Sequence, residues 1–211
     1  MRSTSSLRKV ATLVVGLGAL LLACAACSAS IAESIEPSQP GMRAHIPVFD
    51  TVGSRIKDYG SLQELAGDSS ALVRVHTTGA KHDVPLPGGD KGAAPTTFVS
   101  VVVDEVYSGT VDGTMIDVVA PGMDVSTGSP ALLTGGTYVL FLAPAVYGPG
   151  QPAGGYVVTG GPAGMYASDD RGTSFLKVDK QSAELPGSVN PDSGKLPRVA
   201  RTAADIIAKG R

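Results

Sequence analysis

Glycine and proline divide this chain into short blocks. There are 27 Gly and 15 Pro in 211 residues, and the segments between them are rich in β-branched and aromatic side chains. Short runs of that kind, bounded by turn residues, read as the strands of a sandwich or barrel. The strongest is Thr97 to Tyr107, in which Val99, Val101, Val103 and Val106 are β-branched, with Phe98 and Tyr107 near the ends. Its alternation slips at Asp104-Glu105, which predicts a bulge. Gly109 and Gly113 turn the chain into a return strand, Thr114 to Ala120. Gly135-Gly136 leads into Thr137 to Ala143, a run apolar on both faces and therefore expected to be the most buried strand.

The flanking segments complete the pattern. Ser61-Leu62-Gln63-Glu64 is a capping box; it predicts a short helix from Leu62 to Ala66, ended by Gly67. Ala71 to Thr77 alternates, with Val73 and Val75 on one side and Arg74 and His76 on the other, as a half-buried strand does. Gly79 to Pro95, Pro121 to Thr134 and Pro144 to Gly154 read as loops. Gly155 to Thr159, Met165 to Ala167 and Ser174 to Val178 read as short strands, the last after a tight turn at Asp169-Asp170-Arg171-Gly172. From Asp179 to Pro197 the chain is polar and irregular, and Val199 to Lys209 predicts a terminal helix with Thr202 as its cap and Ile206 and Ile207 as its apolar contacts. Before Tyr59, the residues Ile46, Val48 and Phe49 suit an extended lead-in.

The expected fold class is therefore mainly β: a single OB-like β-barrel or sandwich, with one short helix before the first core strand and a helix at the C-terminus. The run S-L-Q-E-L before a strand, then V-x-V-D-E-V-Y-S-G, then G-G-T-Y-V-L-F-L, resembles netrin-like and TIMP-like modules over Ser61 to Val178. That resemblance implies an OB-fold barrel, with a hairpin followed by a central barrel strand. The chain lacks the cysteines those families use, so their inhibitory chemistry is not implied. Closing the sheet would leave no exposed edges.

The N-terminus reads as an address. Arg2, Arg8 and Lys9 precede Val10 to Ala23, an apolar run broken only by Thr12. It suits the hydrophobic region of a signal peptide and is short of the roughly 20 apolar residues a membrane span needs. Leu21-Leu22-Ala23-Cys24 resembles the lipobox of bacterial lipoproteins. The resemblance implies cleavage before Cys24 and a diacylglycerol on its sulfur, and two acyl chains suffice for stable anchoring. The alternatives are lipidation at Cys27, which would put Cys24 where Leu21 now stands, and an ordinary secretory signal cut near Ala26. The expected organisation is 1–23 signal peptide, 24–44 lipidated flexible tether, 45–180 OB-like β domain, and 181–211 an irregular tail with a short helix. Ser28 to Pro40, small, polar and proline-bearing, would lift the domain from the membrane. Both cysteines lie at the tether, so the domain must rely on its core rather than on disulfides.

Composition narrows the function classes. The formal net charge is −2, and since Arg2, Arg8 and Lys9 account for +3 within the signal, the remainder carries −5. No Lys/Arg cluster follows the signal, so a nucleic-acid partner is not expected. The absence of Trp weakens a stacking platform for sugars or bases.

No catalytic constellation emerges. His45, His76 and His82 lack metal-ligand spacing and have no cysteine of the mature domain to join them, so neither a metal nor a cofactor is expected. Ser54-Arg55-Ile56-Lys57 and Ser174-Phe175-Leu176-Lys177 match S-x-x-K without companion motifs, and no G-x-S-x-G elbow occurs. Asp104 and Glu105, as strand neighbours, would point to opposite faces. Asp169-Asp170 reads as a turn rather than a calcium loop, and Gly160-Gly161-Pro162-Ala163-Gly164 as a backbone turn without the lysine of a phosphate cradle. Tyr138, Tyr147, Tyr156 and Tyr166 fall on or beside the late strands and are the candidate binding residues, since tyrosine combines apolar area with a polar tip.

The expectation is thus a membrane-anchored extracytoplasmic lipoprotein with a non-catalytic binding domain. It would be held through diacylglycerol on Cys24 and face an envelope protein or small ligand, with contacts on the loops Gly79 to Pro95 and Pro144 to Gly154. The alternatives are a cell-envelope hydrolase with a dispersed site and a passive structural envelope protein.

Overall fold

The computed structural model describes residues 57–85, 95–121, 132–169 and 172–210. Cys24, Cys27, His45, the signal and tether segments and the lead-in to residue 56 lie outside the described residues. Helix α1 (Leu62–Gly67) is followed by β1 (Ala71–Val84), β2 (Thr96–Gly109), β3 (Met115–Val119), β4 (Thr137–Gly148), β5 (Gln151–Val158), β6 (Met165–Ser168), β7 (Phe175–Lys177), β8 (Ser188–Val189) and helix α2 (Ala203–Lys209). The chain is mainly β, as expected.

The eight strands form one sheet in the order β1-β2-β3-β5-β4-β6-β7-β8, and β1 also pairs with β4. The β1–β2, β2–β3, β4–β5 and β1–β4 ladders are antiparallel. The β3–β5 contact is parallel and rests on one partner pair, Val118 with Tyr156. Hydrogen bonding can therefore be followed from β1 through β2, β3, β5 and β4 back to β1.

The double-faced burial expected of Thr137 to Ala143 is present, and it organises the core. Tyr138, Leu140 and Leu142 pack with Val73, Val75, Val101 and Val118. Val139 and Phe141, on the opposite face, pack with Leu65, Leu72, Tyr166 and Phe175. Strand periodicity sends alternate residues to opposite faces, so β4 serves two apolar clusters at once. The second exists because α1 and the segment after β5 cover the outer face of β1 and β4.

Local rules account for the helices. Ser61 caps α1, its Oγ accepting from the Glu64 amide at 3.2 Å. Glu64 reaches back to the amide of Gly60 rather than Ser61, at 2.9 Å. Thr202 caps α2 in a full capping box with Asp205. Val199 and Ala200 lie outside the helix, not within it as predicted: the Val199 amide donates to Ser108 Oγ and the Ala200 amide donates to the Ala66 carbonyl, so tertiary partners replace the first helical turn. Beyond residue 180, Leu185, Val189 and Ile206 are all buried.

Two predicted loops are corrected. β1 does not stop at Thr77 but continues to Val84, across an irregularity in which Thr77 pairs with Val101 and Lys81 with Val99. Gly79, at φ +83°, absorbs the extra residues. Pro144 to Gly154 is not a loop either: β4 runs to Gly148 and β5 starts at Gln151. Pro144 and Pro152 are accommodated where the β4–β5 register shifts, the setting in which a strand tolerates proline.

The predicted bulge is present. Arg74 pairs with Glu105 and Val75 with Val103, so Asp104 is the extra residue. Its consequence corrects the opposite-face expectation, because Asp104 and Glu105 both reach side chains on one face of β1. Asp104 Oδ1 lies 2.7 Å from His76 Nδ1, and Glu105 Oε2 lies 3.2 Å from an Arg74 guanidinium nitrogen.

Candidate functional site: a cleft where β3 and β5 part

β5 is seated against β3 by a glycine. A Cβ on Gly155 would lie 2.4 Å from the Asp117 carbonyl oxygen and 3.2 Å from the Phe98 ring, and the residue stands at φ +72°. Only glycine meets both demands without strain. The neighbouring Gly154, at φ +77°, has nothing within 4 Å of the same position and faces open space.

Because the strands meet at one pair, they leave a cleft of about 330 Å³ between β3, β5, the end of β4 and α2. β3 contributes Met115 and Asp117, β5 contributes Pro152 and Tyr156, and α2 contributes Ala203 and Ile207, with Asp112 in the turn before β3. Met115 is 64% exposed, the highest value among the described large apolar residues that are exposed. α2 is held in place by burial of Ile206 and by the Gly150 amide donating to the Ile207 carbonyl at 2.7 Å. Tyr156 is buried, and its hydroxyl accepts from the Asp112 amide at 3.1 Å. Burial raises its pKa and the Asp112 amide works against that rise.

The four candidate tyrosines are not brought together. Tyr138 is buried among the residues shared by β1, β2 and β4, its hydroxyl accepting from the Leu133 amide at 2.9 Å. Tyr166 belongs to the opposite cluster and donates to the Pro186 carbonyl at 3.3 Å. Tyr147 is half-buried. Tyr156 alone lines the cleft, so the expectation of a common tyrosine binding face is corrected. These rings fill the core because each buried hydroxyl has a nearby backbone partner.

The remaining candidates have structural partners. Ser100 Oγ donates to Asp117 Oδ1 at 2.7 Å, and His82 Nε2 lies 3.8 Å from Asp117 Oδ2. The carboxylate stands between serine and histidine, so the histidine is not placed to take the serine proton as a nucleophile's base must. The His82 ring stacks on Phe98 at 5.5 Å between centroids. Lys177 donates to the carbonyls of Ser182 and Leu185, which occupies the lysine of the second S-x-x-K. In the first, Ser54 lies outside the described residues, and Lys57 pairs with Asp68 at 2.7 Å. Asp169 closes its turn, accepting from the Gly172 amide through its carbonyl and from the Ser174 amide through Oδ1; Asp170 lies outside the described residues. Gly161–Gly164 is a short 3-10 turn, as expected of that glycine run.

The cleft escaped sequence reasoning because it depends on a parallel contact between strands far apart in the chain. The Gly154-Gly155 pair ahead of Tyr156 was its local signal. Comparison with family models, with curated proteins and with solved structures gives no match.

Proposed function

We propose that this chain is a membrane-anchored extracytoplasmic lipoprotein, tethered by diacylglycerol on Cys24, whose domain is a non-catalytic binding module. The cleft at the β3–β5 seam is its ligand site. We further read β1-β2-β3-β5-β4 as an OB-like barrel; the return of β4 to β1 supports this, as does the apolar cluster lined by all five strands.

The observation that carries the binding reading is the cleft itself: it is concave, and its walls are divided about evenly between apolar and polar surface, so that a ligand would meet both aliphatic contacts and polar partners. Support for a role without catalysis comes from the described serines and histidines, where Asp117 intervenes between Ser100 and His82. The Leu21-Leu22-Ala23-Cys24 motif supports the anchor.

A fragment library screened against the full chain by amide chemical-shift mapping tests the site. Saturable shifts clustered on Met115–Asp117, Pro152–Tyr156 and Ala203–Ile207 are expected. Binding that maps only elsewhere, or turnover of a substrate abolished by one substitution, overturns the reading.

A further inference from the structure

Resting on the cleft as ligand site, we infer that its ligand is a small organic cation, an amine carried on a compact apolar body. The walls set the apolar part. Met115, Pro152, Ala203 and Ile207 offer aliphatic surface, and Gly154 presents no side chain. The charge on the lining has one sign: Asp112 and Asp117 are acidic, and no Lys, Arg or His is among the described residues that line the cleft. The Asp117 side chain is 40% exposed, with one oxygen taken by Ser100 and the other 3.8 Å from His82. Asp112 is exposed in the turn before β3, at the end of the cleft where its own amide meets the Tyr156 hydroxyl.

The chemistry excludes the other simple classes. An anionic ligand would enter a lining whose charges are both negative, with no cationic side chain among the described lining residues to offset the repulsion. A neutral apolar ligand would gain the walls but no charge attraction to Asp112 and Asp117. An ammonium group placed between them gains Coulomb attraction and donates to their oxygens while its body covers Met115 and Ile207. The Tyr156 hydroxyl accepts from the Asp112 amide and keeps its own proton, so it can also donate to a polar atom of the ligand.

The test is calorimetric titration of the full chain with phenethylamine, 2-phenylethanol and 3-phenylpropionate, three probes with one ring and different charge, repeated on the double variant Asp112→Asn, Asp117→Asn. The amine is expected to bind about tenfold more tightly than the alcohol at low salt, and the acid most weakly, as partly exposed charge pairs allow. The double variant should bring amine and alcohol within about twofold of each other, and a cooperative urea unfolding transition of the variant shows that it is folded. Equal affinity of amine and alcohol for the unmodified chain overturns the cation inference and leaves the cleft as ligand site. No binding of any probe, together with an empty fragment screen, overturns both.

Discussion

The seam between β3 and β5 gives the sharpest test of this structure, because two adjacent glycines there separate two effects. Gly154 and Gly155 both stand at positive φ, +77° and +72°. An L-residue in that region costs about 1–2 kcal/mol, so Gly154→Ala and Gly155→Ala share that loss. They differ in space. At Gly154 the new methyl meets nothing within 4 Å, whereas at Gly155 it would lie 2.4 Å from a backbone oxygen of Asp117, which has no flexible side chain to swing away. Relieving the clash requires β5 to move off β3, and overpacking of this kind costs a further ~1–3 kcal/mol. Gly155→Ala should therefore be less stable than Gly154→Ala by that margin, or lower in Tm by roughly 2–4 °C per kcal/mol for a domain of this size. Urea and thermal unfolding of both variants measure it, and amide exchange at Val118 and Tyr156 should speed up in Gly155→Ala alone. Equal stabilities, within about 0.5 kcal/mol of each other, would refute the close approach of the two strands.

Two further substitutions probe polar groups away from the cleft. The Tyr107 hydroxyl is buried and makes no well-formed hydrogen bond among the described residues; burial pushes its pKa up to about 12, Arg74 opposes the rise, and Glu105 adds to it by its charge and by a side-chain contact with the hydroxyl. Tyr107→Phe should leave stability unchanged or raise it by up to about 1 kcal/mol, and a loss of more than about 1 kcal/mol in urea unfolding would show that the hydroxyl is bonded. Asp68 binds Lys57, Tyr59 and Arg201; partial burial favours its neutral form, but the Lys57 hydrogen bond and charge, with Arg201 and Tyr59, lower its pKa overall. Its stabilisation is present above the unfolded-state aspartate pKa and is lost as pH falls through the lowered folded-state value. Asp68→Asn should therefore flatten the acid limb of stability against pH, and an unchanged limb would remove Asp68 from the account.

Much of the fold was legible because local chemistry and tertiary structure agree. Ser61 and Thr202 sit where a capping residue is needed, the slip at Asp104-Glu105 is a bulge, and the unbroken apolar run of β4 has two clusters to serve. The misses share a cause: they were decided by partners distant in the chain. Pro144 and Pro152 look like loop residues until the register shifts between β4 and β5 are known. Gly79 looks like a terminator until the β1–β2 irregularity gives it a role. The tyrosines resembled a binding face, but only pairing and burial reveal that Tyr138 and Tyr166 lie on opposite sides of β4. The cleft is the extreme case, being formed by a single parallel contact and a helix some 50 residues later in the chain.

The proposed role as a lipoprotein rests on the domain being displayed on a membrane from Cys24. Mass spectrometry of the N-terminal peptide from protein extracted out of bacterial membranes tests this most directly. The account predicts a chain beginning at Cys24 and carrying the mass of a diacylglyceryl group, absent from the Cys24→Ser protein. An unlipidated N-terminus near Ala26, or a lipid on Cys27, would contradict it.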